Sequence, residues 1–194
     1  MATHNSPLRL EVNPWAHDAD LHEALLLRGA YLAALGAMET VFAEVAIRAS
    51  KHSAYRDVRD RFPSRRDARS RFLRMILAMQ GPMQPHAKLL NGALDRFEAA
   101  LTLRDVLAHA HMRILSGPAA TATEMVFRDF YPQGEMVAYR EERHSFPWLR
   151  TRTHAAARTS RALGRIYGRL DEFLPPLVGE YQGTTDLTCH DDRA

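Results

Sequence analysis

The sequence predicts an all-α fold, an up-and-down bundle of four to five helices with a β-hairpin inserted near residues 121–142. Apolar residues recur at helical spacing through several long stretches, and glycine and proline separate those stretches. Two β-leaning runs joined by Pro132-Gln133-Gly134 supply the hairpin. A length of 194 residues suits one domain with a single core. The expected division is a flexible N-terminal segment at 1–19, a helical domain at 20–174 and a flexible tail at 175–194.

The first helix is expected from about Asp20 to Ala49, where Leu21, Leu25, Leu32, Leu35, Phe42 and Val45 form a stripe widened by Leu26, Leu27 and Val41. Gly29 and Gly36 lie on one side of it, where missing side chains would let another helix approach closely. A short helix at Ser53 to Arg61 should end before Pro63. Ser64 then resembles an N-cap with Asp67 in the first turn, followed by a stripe of Ala68, Phe72, Met75, Ile76 and Met79 that stops at Gly81-Pro82. A longer helix should run from His86 to Leu115, with a candidate interruption at Asn91-Gly92, and end at Ser116-Gly117-Pro118. Thr121 to Tyr131 and Glu135 to Glu142 form the hairpin, and Phe146 to Leu174 returns to helical periodicity.

Composition excludes several functional classes. Apolar content of 46% and charged content of 25% fit a globular chain. The single cysteine, Cys189, allows neither an internal disulfide nor a thiolate metal cage. Arg28, Glu39 and Glu44 break the longest apolar stretch, so no membrane span is expected. Met1 to Asp20 lacks the apolar core of a signal peptide, so a cytoplasmic location is expected. Nor do the scattered glycines make a phosphate loop or a serine-nucleophile elbow. A net charge of +3 favours an anionic partner, and arginines at 65, 66, 69, 71 and 74 and at 150, 152, 158, 161, 165 and 169 make two basic stretches. Nearby Asp57, Asp60, Asp67 and Asp171 offer the alternative of a solvated, internally paired face.

Chemistry concentrates at Leu103-Arg104-Asp105-Val106-Leu107-Ala108-His109-Ala110-His111. On a helix, Arg104, Asp105 and His109 span a face of about 140°, shared with Leu94, Phe97, Leu101 and Met112. Leu103, Leu107, Ala110 and Ile114 make a second apolar strip, so this helix should be packed on two sides. Arginine and histidine set among leucines need a partner, a ligand or a second subunit. Composition alone supplies about one Arg-x4-His pair, so context carries the case. The plain alternative is an interhelical ion pair with a histidine satisfied by a carbonyl. Glu39 is either a brace for Arg104 or a solvated edge carboxylate.

Arg104-Asp105-x-x-x-His109, with Leu103 ahead and Leu107-Ala108 before the histidine, resembles the Arg-polar-x3-His signature of the HEPN superfamily, the higher-eukaryote and prokaryote nucleotide-binding helical domains. The resemblance extends to a long first helix, a helical bundle and a late motif helix across residues 20–174. It implies a homodimer that cleaves RNA without metal, with Arg104 and His109 of two subunits meeting at a two-fold interface. Histidine can accept the ribose 2′-hydroxyl proton, and arginine can hold the phosphate as charge grows. Asp105 would orient one of those side chains.

Some toxins of this family carry a modifiable tyrosine two residues after the histidine; here that residue is His111. On a continuous helix His111 would project within about 20° of Arg104, making it a candidate auxiliary. His109 and His111 would diverge by about 200°, so neither a metal site nor a cofactor is expected. RNA is the expected partner, with an antitoxin or other protein as a further candidate for a toxin or defence effector. The alternative is a non-catalytic helical module that binds nucleotide, RNA or protein. A DNA-binding regulator is weaker, because the helix after Gly81 to Pro85 is apolar where a recognition helix should be polar.

Overall fold

The computed structural model describes residues 18–58, 63, 65–115, 123–134 and 136–177. The elements run in the order α1 (Asp18–Lys51), a 3₁₀ turn (Ser53–Val58), α2 (Arg66–Ala78), a 3₁₀ turn (Gln84–His86), α3 (Ala87–His109), β1 (His111–Leu115), β2 (Glu124–Gln133), β3 (Met136–Ser145), α4 (Phe146–Tyr167) and a 3₁₀ turn (Leu170–Glu172). The fold is a helical bundle with an inserted antiparallel sheet, ordered β1-β2-β3.

Helix α1 is the axis of the bundle. Its inward residues Leu27, Tyr31, Leu35, Met38, Phe42, Val45 and Ala49 join one core with Leu73, Ile76, Leu90, Leu94, Phe97, Leu107, Leu149 and Leu163. Phe42 meets Phe97 edge-on, with centroids 5.5 Å apart. Not every expected core leucine faces inward: Leu21, Leu25 and Leu26 are exposed, Leu26 by 63%. Gly29 and Gly36 are exposed too, and a Cβ added at either would meet nothing within 4 Å. The expected close helix approach therefore does not occur among the described residues. By length and composition α1 could cross a membrane, but its inward side is the bundle's core.

Buried Arg48, near the end of α1, fastens the C-terminal end of the bundle. Its guanidinium donates to the carbonyls of Pro175 at 2.9 Å and Leu174 at 3.0 Å and to Asp171 at 2.5 Å. Donating to several acceptors offsets the desolvation of the cation.

Helix α2 starts after Arg65, which gives no side-chain cap; the expected cap, Ser64, lies outside the described residues. Its buried side is Phe72, Leu73, Ile76 and Leu77, whereas Met75, expected inside, is exposed. Helix α4 begins as expected, with Ser145 accepting from the Trp148 amide and proline in the first turn. It ends at Tyr167, and the remaining path to Leu174 is a 3₁₀ turn and coil rather than helix.

The largest departure lies in the third helix. It runs without interruption through Asn91-Gly92 and stops at His109, six residues before the expected end at Leu115. Residues His111–Leu115 are instead a strand paired antiparallel to β2, with Ile114 opposite Met125 and His111 opposite Arg128. Apolar residues at 107, 110 and 114 suit a helix, but Met112 and Ile114 also suit the period of a strand. Pairing with β2 decides between them. The hairpin itself occurs as expected, with strand ends shifted by a few residues: Gln133 pairs with Met136, and Gly134 turns the chain with φ of 62°.

Candidate functional site

The motif occupies the last two turns of α3, where buried Val106 and Leu107 fix the rotation of the helix. That rotation leaves Arg104 and Asp105 partly exposed and His109 exposed. Arg104 donates from Nη1 to Asp105 Oδ1 at 2.9 Å, and the same carboxylate oxygen lies 3.8 Å from Arg66 Nη1 on α2. Asp105 thus faces two arginines rather than His109. Among the described residues His109 has no hydrogen-bond or ion-pair partner, so its imidazole is free to meet a ligand.

An arginine on α1 secures this end of the helix. Arg28 donates from Nε to the Leu107 carbonyl at 2.5 Å and from Nη2 to the Ala108 carbonyl at 3.4 Å. Both carbonyls belong to the last turn, where no further helical amide can satisfy them. A cation at a helix C-terminus also complements the macrodipole. In the sequence Arg28 has the look of a mere interruption of an apolar stretch, because its partners lie 79 and 80 residues away.

Glu39 does not brace Arg104. Its Oε1 lies 3.4 Å from both Arg66 Nε and Arg69 Nη2, so it anchors α2 to α1. The chain Glu39, Arg66, Asp105, Arg104 therefore links three helices through alternating charges. His111 is separated from the motif helix by Ala110 and is the exposed first residue of β1. The change from helix to strand at Ala110 therefore removes His111 from the position beside Arg104 that a continuous helix would give it. Among the described residues no group of three or more histidine, cysteine or acidic side chains is placed to hold a metal ion.

The two basic stretches differ. On α2 and at its N-cap, Arg65 and Arg71 pair with Asp67, Arg66 and Arg69 with Glu39, and Arg74 with Asp95 and Glu98. These bonds to Asp95 and Glu98 raise the Arg74 pKa and hold it charged. That stretch is the internally paired face. On α4, Arg150 pairs with Glu23, but exposed His154, Arg158, Arg161 and Arg165 have no ion-pair partner among the described residues. Spaced four, three and four apart, they share a face about 60° wide.

No family model matches this chain, and no curated protein or solved structure shows significant similarity to it.

Proposed function

We propose that this chain is a metal-independent endoribonuclease of the HEPN type, acting as a homodimer and serving as a toxin or defence effector. The observation that carries the reading is the state of the motif: Asp105 holds the Arg104 guanidinium at 2.9 Å, while His109 on the same helix is exposed and unpartnered. A partly exposed arginine suits a phosphate, and an exposed, unpartnered histidine suits proton transfer.

In the proposed reaction His109 accepts the proton of a ribose 2′-hydroxyl. The 2′-oxygen then bonds to the adjacent phosphorus as the bond from phosphorus to the 5′-oxygen breaks. Arg104 holds the non-bridging oxygens as negative charge accumulates. The leaving 5′-oxygen takes a proton from solvent or from the second copy's imidazole. The products are a 2′,3′-cyclic phosphate and a 5′-hydroxyl.

Two further features support the reading. The outward face of α1 carries Leu25, Leu26, Gly29, Ala33, Gly36 and Thr40, all exposed, an apolar and small-residue surface suited to a second copy's helix. Arg28 and Glu39, which lie along one border of that face, contact the motif or its paired arginines. The α4 stripe of His154, Arg158, Arg161 and Arg165 offers a track for the RNA backbone.

One observation favours the second reading, a non-catalytic module that binds nucleotide, RNA or a protein partner. Arg104 already has a carboxylate within the chain, as a structural arginine would. Purified protein incubated with total RNA and tRNA in the presence of a chelator separates the two. Cleavage that disappears in an Arg104→Ala/His109→Ala variant of unchanged melting temperature supports catalysis. Intact RNA with wild-type protein, together with lost stability or dimerisation in the variant, supports the module.

A further inference from the structure

A cavity of about 400 Å³ lies between α1, α3 and α4 beside β3, and neither Arg104 nor His109 lines it. Its volume falls within the range of small-molecule sites, about 300–1,000 Å³. Tyr31, Leu35 and Met38 of α1 and Leu103 of α3 give it an apolar floor, and Trp148 adds an aromatic wall. At its edge stand Arg96 of α3 and Arg152 of α4.

The polar groups in this cavity are unequally satisfied. Glu142 is engaged at both oxygens, by His144 Nε2 at 3.2 Å and by Arg140 Nε at 3.5 Å. The His144 ring in turn stacks on Trp148, with centroids 4.2 Å apart and planes within 5°. Neither Arg96 nor Arg152 has a carboxylate within ion-pair distance among the described residues; Arg152 rests 5.1 Å from the centroid of the Trp148 ring. Tyr31 is only 3% exposed, yet its hydroxyl makes no hydrogen bond to any described residue. That oxygen is not among the buried polar atoms left without a partner, so it opens to the cavity, where a ligand's acceptor can reach it. Tyr31 and Arg152 line the same cavity; burial raises the Tyr31 pKa and the Arg152 charge opposes that rise.

We propose that this cavity binds a small carboxylate with an apolar, preferably aromatic, body. The ligand's ring fills the space between Leu35, Met38 and Trp148, and its carboxylate accepts from the Tyr31 hydroxyl and pairs with Arg152 and Arg96. Arginine suits a carboxylate through its planar fork, and the apolar floor excludes a fully hydrated anion. The proposal concerns a surface separate from Arg104 and His109 and stands apart from the ribonuclease reading.

Calorimetric titration of the full chain, without RNA, tests it with 2-naphthoate as the probe and neutral 2-naphthylmethanol as its isostere. Saturable binding of one naphthoate per chain is expected, at least tenfold tighter than the alcohol. Arg152→Gln should weaken naphthoate at least tenfold and Tyr31→Phe severalfold. Ala156→Phe, which puts a ring into the cavity, should abolish binding, and Lys88→Gln on distant surface should leave it unchanged. Failure of naphthoate to saturate at millimolar concentration, or equal affinity for the alcohol, overturns the proposal. So does undiminished affinity in folded Arg152→Gln and Ala156→Phe. The acid-to-alcohol comparison uses only the wild-type chain and decides the matter even if a variant does not fold.

Discussion

Arg28 on α1 donates to the carbonyl of Leu107 on α3 at 2.5 Å, two residues before the candidate catalytic His109. The long first helix thus holds the end of the motif helix at the point where the chain turns from helix to strand. Replacing Arg28 with Met leaves two terminal carbonyls without this donor while keeping part of the side chain's packing. A loss of about 1–2 kcal/mol is expected, at the lower end for bonds from a charged group because Arg28 is only part-buried. Denaturant unfolding measures the loss, and faster hydrogen exchange at the Ala110 amide, which bonds to the Val106 carbonyl, localises it.

Tyr55, in the 3₁₀ turn after α1, lies against Gly81 in the loop connecting α2 to α3. The Tyr55 hydroxyl accepts from the Met83 amide at 2.9 Å, and a Cβ at Gly81 would sit 2.6 Å from that oxygen. Gly81→Ala should therefore destabilise by about 1–3 kcal/mol through overpacking. Tyr55→Phe should cost about 1–3 kcal/mol because it leaves the Met83 amide unpaired. Thermal and denaturant melts check both values.

Alkaline stability should depend on the same tyrosine. Burial raises the Tyr55 pKa above its ordinary 10.0, with the Met83 amide opposing the rise. A raised folded value means that the native state favours the neutral phenol. The contribution is fully present below the ordinary value and is lost as pH rises through the folded one. Stability measured across pH 9–12 should fall less steeply in Tyr55→Phe than in the wild-type chain.

At the acid end the sheet supplies the opposite case. Hydrogen bonds from Arg128 and Arg143 hold the Glu141 carboxyl below its ordinary 4.5. Its contribution is present above that value and lost as pH falls through the lowered one. Glu141→Gln should reduce the acid sensitivity of the β2–β3 pairing, read from hydrogen exchange along β2, while the core amides of α1 change little.

The outward face of α1 gives a prediction about assembly. Gly36→Arg places a charge on open surface, with nothing within 4 Å of the new Cβ, so the isolated fold should tolerate it within about 0.5 kcal/mol. If a second copy packs on this face, the variant should sediment as a monomer where the wild-type chain sediments as a dimer. A wild-type monomer at all concentrations would remove the two-fold composite site from the account.

The bundle was legible in the sequence because helical periodicity survives wherever one side of a helix is buried, as in Phe72, Ile76, Leu149 and Leu163. Leu21, Leu25 and Leu26 fit the same periodicity yet are exposed, since a helix apolar on most sides does not reveal which side faces the core. Strand β1 was hidden for a different reason. Leu107, Ala110 and Ile114 satisfy a helical period, and no glycine or proline marks the change at Ala110. Only the distant partner β2 and the Arg28 cap fix it. At the candidate site, the residue types and the Arg104-Asp105 neighbourhood were readable, but the contacts of Asp105 and Glu39 with Arg66 join distant segments and have no local signal. The Tyr31–Arg152 cavity is equally non-local, being assembled from elements more than one hundred residues apart.

End-group analysis of RNA treated with chelator-stripped protein tests the central proposal most directly. The account predicts cleavage by the wild-type chain to 2′,3′-cyclic phosphate and 5′-hydroxyl ends, with loss of at least a hundredfold in His109→Ala at unchanged stability, in line with the loss of a general base. RNA left intact by the wild-type protein, or cleaved at the same rate by His109→Ala, would contradict it.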